Sequence, residues 1–272
     1  GLKMYDMMAG KLGLGPSKSL TFEETVASIP TLIRRGLRGG VIYHDGQFDD
    51  ARMAISLAIT CVDYGGTVLN YMKVNGLLKD KSGLVNGVEA IDEETGRKYK
   101  LKTKAVINAT GVWADEVMLL DDPQSKPMIR PSQGVHLVLD KSFLQSKHAI
   151  MIPHTSDGRV LFAVPWHDHV IVGTTDTLID QASLEPVALE EEVDFILNTA
   201  GLYLERFPSR KDVLSVFAGL RPLAASQDKE QTTKGISRHH KVLISLSGLI
   251  TLTGGKWTTY RKMGEDAVDK AI

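Results

Sequence analysis

Twice in this chain an apolar run passes directly into small residues and then into helix-forming sequence. Ala105-Val106-Ile107-Asn108 meets Ala109-Thr110-Gly111, and Ile250-Thr251-Leu252 meets Thr253-Gly254-Gly255. An unbroken apolar run is typical of a strand in a sheet covered on both faces. A turn of Gly and Ala lets the backbone approach a ligand closely and exposes its N–H groups. Together the two junctions predict an α/β layer. Each also has a plainer reading. The first is what any tight strand-to-helix turn looks like, and the second suits an ordinary helix start beside a solvated Lys256. As a binding feature, the first turn after Gly255 leaves N–H groups without intrahelical partners, an anion site to which Lys256 adds a positive charge.

Other elements follow from pattern. Residues 1–40 read as helical pieces broken at Gly13, Gly15, Pro16 and Pro30. Asp49 and Asp50 can cap a helix in which Ala51, Ala54, Ile55, Ala58 and Val62 recur at helical spacing, ended by Gly65-Gly66. Thr67 to Tyr71 reads as a short buried strand. Residues 74–79, 85–91 and 98–101 read as a three-strand meander turned at Ser82-Gly83 and Thr95-Gly96. A helix is expected from Trp113 to Leu120. After Pro127 the texture changes to short strands at 134–139, 160–164 and 170–172, which suggests an antiparallel sheet. Residues 189–206 read as an amphipathic helix with Glu190, Glu191 and Glu192 where the helix dipole favours them. Strands are expected at 213–220 and 242–246, and a helix after Gly255 to Ile272. The expected fold class is mixed α/β: a nucleotide-type layer over 41–125 and 236–272 interleaved with an antiparallel layer over 126–235.

Composition excludes several classes. With 43% apolar and 24% charged residues the chain is globular rather than disordered. A net charge of −1 argues against a nucleic-acid partner. The longest nearly apolar run, Met53 to Val62, is too short to span a bilayer. The single cysteine, Cys61, cannot form an internal disulfide; it lies in an apolar helix where packing is its expected role, and a reducing compartment is the default. Gly13-Leu14-Gly15 starts like a dinucleotide fingerprint, but Lys18 stands where the third glycine belongs. Gly254-Gly255-Lys256 lacks the upstream glycine of a P-loop, since position 250 is Ile. His167-Asp168-His169 and His239-His240 lack further ligands at metal spacing, so no metal is expected.

The ordered segments Tyr43 to Arg52, Ile107 to Gly111, Pro131 to His136, Phe162 to Trp166, Val172 to Asp176, Gly219 to Leu223 and Thr253 to Lys262 resemble the flavin-dependent glycerol-3-phosphate dehydrogenases, close relatives of the glycerol-3-phosphate oxidases. The resemblance covers nearly the whole chain. It implies an incomplete Rossmann-like FAD-binding domain interleaved with an antiparallel substrate domain, as in D-amino-acid oxidase. Residues 1–40 would lie on the substrate side. The family's opening glycine-rich strand-turn-helix and its later helical domain are not among these segments, so the chain is expected to be the middle of a longer enzyme.

The implied reaction oxidises the C2 alcohol of sn-glycerol 3-phosphate to dihydroxyacetone phosphate, with FAD as hydride acceptor and a quinone taking the electrons. The alternatives are an oxygen-using oxidase and an amine- or amino-acid-oxidising flavoenzyme of the same fold. Arg221 is the expected phosphate clamp, because its planar fork matches phosphate; the other reading is a structural arginine before Pro222. Lys256 is the second cation, near phosphate or flavin. His136 suits a general base because imidazole titrates near neutrality; a satisfied core histidine fits equally. Asp176 either orients His136 or Arg221 or bonds its own turn. Val74, Ala109, Thr110, Gly111, Gly254, Gly255, Lys256, Trp257 and Thr258 are the expected FAD contacts. The resemblance further implies attachment to the inner face of the cell membrane from the cytoplasm, and a homodimer. The 272-residue chain alone is expected to be colourless, inactive and prone to self-association.

Overall fold

The computed structural model describes residues 13–153, 155, 158–224 and 239–272. The helical reading of residues 1–12 lies outside these, as do residues 225–238 at the joint of the two expected layers. The described residues pack as two units. One comprises the chain up to Phe48 with 133–177 and 185–219, and the other comprises 49–132, 178–184 and 220–272.

The first unit opens with β1 (Lys18–Leu20), α1 (Phe22–Ser28) and β2 (Gly40–Ile42), with β1 and β2 antiparallel. Among the described residues of this region, only α1 answers to the helical reading. It starts at a capping box: Thr21 Oγ1 accepts from Glu24 N and Glu24 Oε2 accepts from Thr21 N.

Most residues of a six-stranded sheet belong to this unit. The sheet's strands are β7 (Ile129–Asp140), β8 (Ile150–Ile152), β9 (Leu161–Trp166), β10 (His169–Gly173), β11 (Thr177–Leu178) and β12 (Val213–Ala224), ordered β11-β7-β10-β9-β8 with β12 also paired to β7. The β7–β10, β10–β9 and β9–β8 pairs are antiparallel, as expected for this stretch. The strand at 150–152 was not foreseen, being only three residues of apolar sequence. Side chains alternate across a strand, so Val135, Leu137 and Leu139 face the core while His136 and Val138 face the other way. The helix α4 (Glu190–Gly201) lays Val193, Ile196, Leu197 and Ala200 on that core. Each fully buried Leu, Ile or Val contributes about 1.5–3 kcal/mol relative to exposure. The helix is shorter than its periodicity predicted: past Gly201 the chain breaks into turns, and Leu204 forms a bridge with Leu32.

The second unit contains α2 (Asp50–Asp63), the antiparallel meander β3 (Met72–Lys79), β4 (Val85–Asp92) and β5 (Lys98–Lys102), then β6 (Ile107–Asn108), α3 (Ala114–Asp121), β13 (Lys241–Ile244), β14 (Ile250–Thr253) and α5 (Tyr260–Ala271). The meander matches its sequence reading. Asp49 caps α2, accepting from Arg52 N at 2.9 Å. Asp121, at the end of α3, is buried and accepts from Lys79 Nζ at 2.8 Å and from Ser247 Oγ, which ties the helix to the meander and to the β13–β14 hairpin.

Two local expectations are corrected here. Thr67 to Tyr71 is not a strand: it is irregular, with Val68 and Leu69 exposed, because no described strand pairs with it. Cys61 is exposed rather than packed, since no residue of α2 is buried.

Candidate functional site

The two strand-to-glycine junctions meet in the second unit. β14 and β6 pair in parallel, Ile250 opposite Ile107 and Thr251 opposite Asn108. Parallel pairing puts the carboxyl ends of both strands on one side, so Ala109-Thr110-Gly111 and Thr253-Gly254-Gly255 emerge together. That end of a parallel α/β sheet is where ligands bind. The sequence alone offered no sign that strands so distant in the chain are neighbours.

Asn108 organises the first junction. It is buried; its Nδ2 donates to Ala114 O at 2.9 Å, and its Oδ1 accepts from Thr110 Oγ1 at 2.7 Å. Ala109 and Thr110 are exposed beyond it. Gly111 has φ +62°, and a Cβ placed there would meet nothing within 4 Å. Backbone is thus offered to open space, which suits a bound dinucleotide. The second junction differs. Gly254 and Gly255 have φ +70° and +83°, and Cβ atoms there would run into His239 O and the Met263 sulfur respectively. Positive φ at both positions, with backbone crowding at Gly254, accounts for the glycine pair from the chain's own conformation. α5 is pinned beside it by His240 Nε2, 2.7 Å from Asp266 Oδ2. Lys262 first, then His240, hold the Asp266 carboxyl below its usual range.

The helix after the glycine pair starts later than expected. Trp257–Thr259 form a 3₁₀ turn, closed by Thr259 Oγ1 to Lys256 O at 3.0 Å, and α5 proper begins at Tyr260. Lys256, Trp257 and Thr258 are exposed around that turn. Arg221 is half-buried near the end of β12, also in the second unit. Val74 is half-buried on β3 beside a bulge, in a sheet separate from the β6–β14 pair.

His136 and Asp176 belong to the first unit. His136 lies opposite Gly173 on β10, whose next neighbour is Phe162 on β9. Its ring stacks on Phe217 of β12, centroids 5.2 Å apart and planes 13° from parallel. A Cβ on Gly173 would collide with that ring. The histidine is thus seated between a glycine and an aromatic on the sheet face opposite the core. Asp176 is half-buried in the turn between β10 and β11. Thr175 and Thr177, on either side of it, both donate to Glu192 Oε1, at 2.8 and 2.6 Å.

Sequence reading missed Phe217 and gave Glu192 only a helix-dipole role. A signal for Glu192 existed: it falls on the apolar stripe of α4, four residues before Ile196 and eight before Ala200. Of the set-aside histidines, His240 is the partner of Asp266, and Asp168 of the His167-Asp168-His169 stretch pairs with Lys141 at 2.7 Å.

Residues 1–261 match the DAO family of FAD dependent oxidoreductases. The mitochondrial glycerol-3-phosphate dehydrogenase of Schizosaccharomyces pombe is 41% identical over 289 residues, covering 100% of this chain and 44% of its own length. The mitochondrial glycerol-3-phosphate dehydrogenase of Mus musculus is 42% identical over 279 residues, covering 100% and 38%. The solved structure of a glycerol-3-phosphate dehydrogenase from Bacillus halodurans complexed with FAD superposes with a TM-score of 0.81 at 35% identity, over 93% of this chain and 48% of that one. The chain thus spans less than half the length of these relatives. A match over residues 1–261, a close structural counterpart and a parallel strand pair opening onto two small-residue turns lead to one conclusion: this chain belongs to the DAO family of FAD-dependent oxidoreductases.

Proposed function

We propose that this chain is the central part of an enzyme that oxidises sn-glycerol 3-phosphate to dihydroxyacetone phosphate and delivers the electrons to a quinone. The observation that carries the reading is the parallel β6–β14 register, which gathers Ala109 to Gly111 and Gly254 to Lys256 at one carboxyl end. The names of the relatives above support the substrate. FAD supplies the hydride acceptor for the C2 hydrogen. Ala109, Thr110, Gly111, Gly254, Gly255, Lys256, Trp257 and Thr258 are the residues of this chain that would hold it, with Val74 toward the adenine side. Among the described residues Lys256 has no carboxylate partner, which leaves its charge available to an anion.

In this reading residues 41–125 and 236–272 serve the cofactor, residues 126–235 serve the substrate, and residues 1–40 lie on the substrate side. Arg221 clamps the phosphate through its planar fork. His136 takes the C2 hydroxyl proton, with Asp176 as its orienting group. The protein works as a homodimer attached peripherally to the cytoplasmic face of the cell membrane. Among the described residues, no helix is long and apolar enough to cross a membrane.

The test uses the full-length, flavin-loaded enzyme. Anaerobic glycerol 3-phosphate should bleach the flavin, and a quinone should restore its colour. Arg221→Ala should raise KM by about ten- to hundredfold, the loss of a charge-assisted bond. An enzyme that is bleached by an amino acid and not by glycerol 3-phosphate, or an Arg221 variant with unchanged KM, overturns the reading.

A further inference from the structure

We propose that Glu192 is the positioning residue for the wall that carries His136 and Asp176, a role that rests on the reading of that wall as the substrate side. Glu192 is 3% exposed, whereas Glu190 and Glu191 beside it face solvent. A carboxylate that deep must have its charge compensated. Among the described residues no cation bonds to it. Four neutral donors fill its two oxygens instead: Thr175 and Thr177 hydroxyls on Oε1, and Gln133 Nε2 at 2.7 Å and Leu189 N at 3.0 Å on Oε2. Capping α4 would need only the Leu189 N–H. The other three donors are Gln133 on β7, Thr175 in the turn after β10 and Thr177 at the start of β11, so they lie on the segments that carry His136 and flank Asp176.

The bonds continue past the carboxylate. Gln133 Nε2 also donates to Val187 O at 3.0 Å. Thr175 Oγ1, having donated to Glu192, accepts from Val135 N at 3.0 Å, and Val135 is the residue before His136. One oxygen therefore fixes both neighbours of Asp176 and, through Thr175, the backbone next to His136. Burial works to raise the Glu192 carboxyl; donation from Thr177, Leu189, Thr175 and Gln133 outweighs it and holds the group below its usual range. The network is built around the anion. A glutamine at 192 could not replace it. Its NH₂ would meet either the Gln133 and Leu189 N–H groups, which are donors only, or the two threonine hydroxyls, leaving their hydrogens without this acceptor.

The experiment compares Glu192→Gln, Thr175→Val and Thr175→Ser in the full-length, flavin-loaded enzyme. Glu192→Gln and Thr175→Val should lower kcat by about 10- to 100-fold, the scale of an ångström-sized misplacement, with KM changed less than about threefold. They should also shift the His136 imidazole titration read by NMR without substrate. Thr175→Ser, which keeps the hydroxyl, should behave as the parent. If Glu192→Gln does not fold, Thr175→Val carries the test, because the carboxylate and its other donors remain. A lowered melting temperature with unchanged kcat and an unchanged His136 titration makes Glu192 merely structural and overturns the proposal. The parent reading fails separately: His136→Ala with full activity removes His136 as the base, while the imidazole titration still judges Glu192.

Discussion

The seat of His136 is made by two neighbours without polar side chains. The imidazole stacks on Phe217, and on the adjacent strand its space is guaranteed by the absence of a side chain at Gly173. Gly173→Ala should press both on the ring and on the Val135 carbonyl of β7, although this glycine is not among those with positive φ. We expect folded, flavin-binding full-length enzyme with kcat reduced about tenfold or more, because the ring must leave its stacked position. Normal kcat would mean that the ring's seat is irrelevant to turnover. His136→Ala should flatten the rise of kcat/KM through neutrality; a variant that keeps that limb and full activity makes the histidine structural. Sequence alone could nominate His136, since it sits in a motif and imidazole in general titrates near neutrality. It could not show what holds the ring, because Gly173 and Phe217 reach it only through strand pairing.

At the scale of elements, periodicity served well wherever an element's own residues decide its form. Helix α2 begins where Asp49 can cap it, and the meander turns where Gly83 and Gly96 supply positive φ. It failed where a partner decides. Thr67 to Tyr71 has strand composition and no described strand beside it, and α4 ends at Gly201 although helix-forming residues continue. Asp121 is the clearest long-range tie between elements, and it makes a pH prediction. Burial would raise its carboxyl, but Lys79, Ser247 and Ser245 together hold it below the usual range. A group depressed in the folded state stabilises above its unfolded pKa, near 3.9, and loses that contribution as pH falls through the depressed value. Asp121→Asn should thus cost about 1–2 kcal/mol at pH 7, discounted because Lys79 is partly solvated. The difference from the parent should shrink as the pH falls below the unfolded value toward the depressed one. Urea melts of both proteins at pH 7 and pH 3 check this, and a penalty independent of pH would show that ionisation of Asp121 contributes nothing.

For the whole molecule, the exposed apolar surface carries the prediction. Ile55, Ile59 and Val62 share one face of α2 and are 61%, 56% and 55% exposed, and Leu69 just beyond is 64% exposed. Ile107, on β6 at the end of its sheet, is 39% exposed. Apolar faces of this kind drive association. The purified 272-residue chain should therefore elute above its monomer size; a monodisperse monomer contradicts this. By itself the sequence determined what depends on short spans: the α/β class, the antiparallel texture after Pro127, the capped α2, the meander and the two small-residue junctions. Only the tertiary structure decided that β14 lies parallel to β6 and so joins those junctions, that Glu192 turns inward to four donors, and that His136 rests between Gly173 and Phe217. Local propensity and periodicity are written in neighbouring residues, whereas register and the burial of a charge are fixed by hydrogen bonds between segments far apart in the chain.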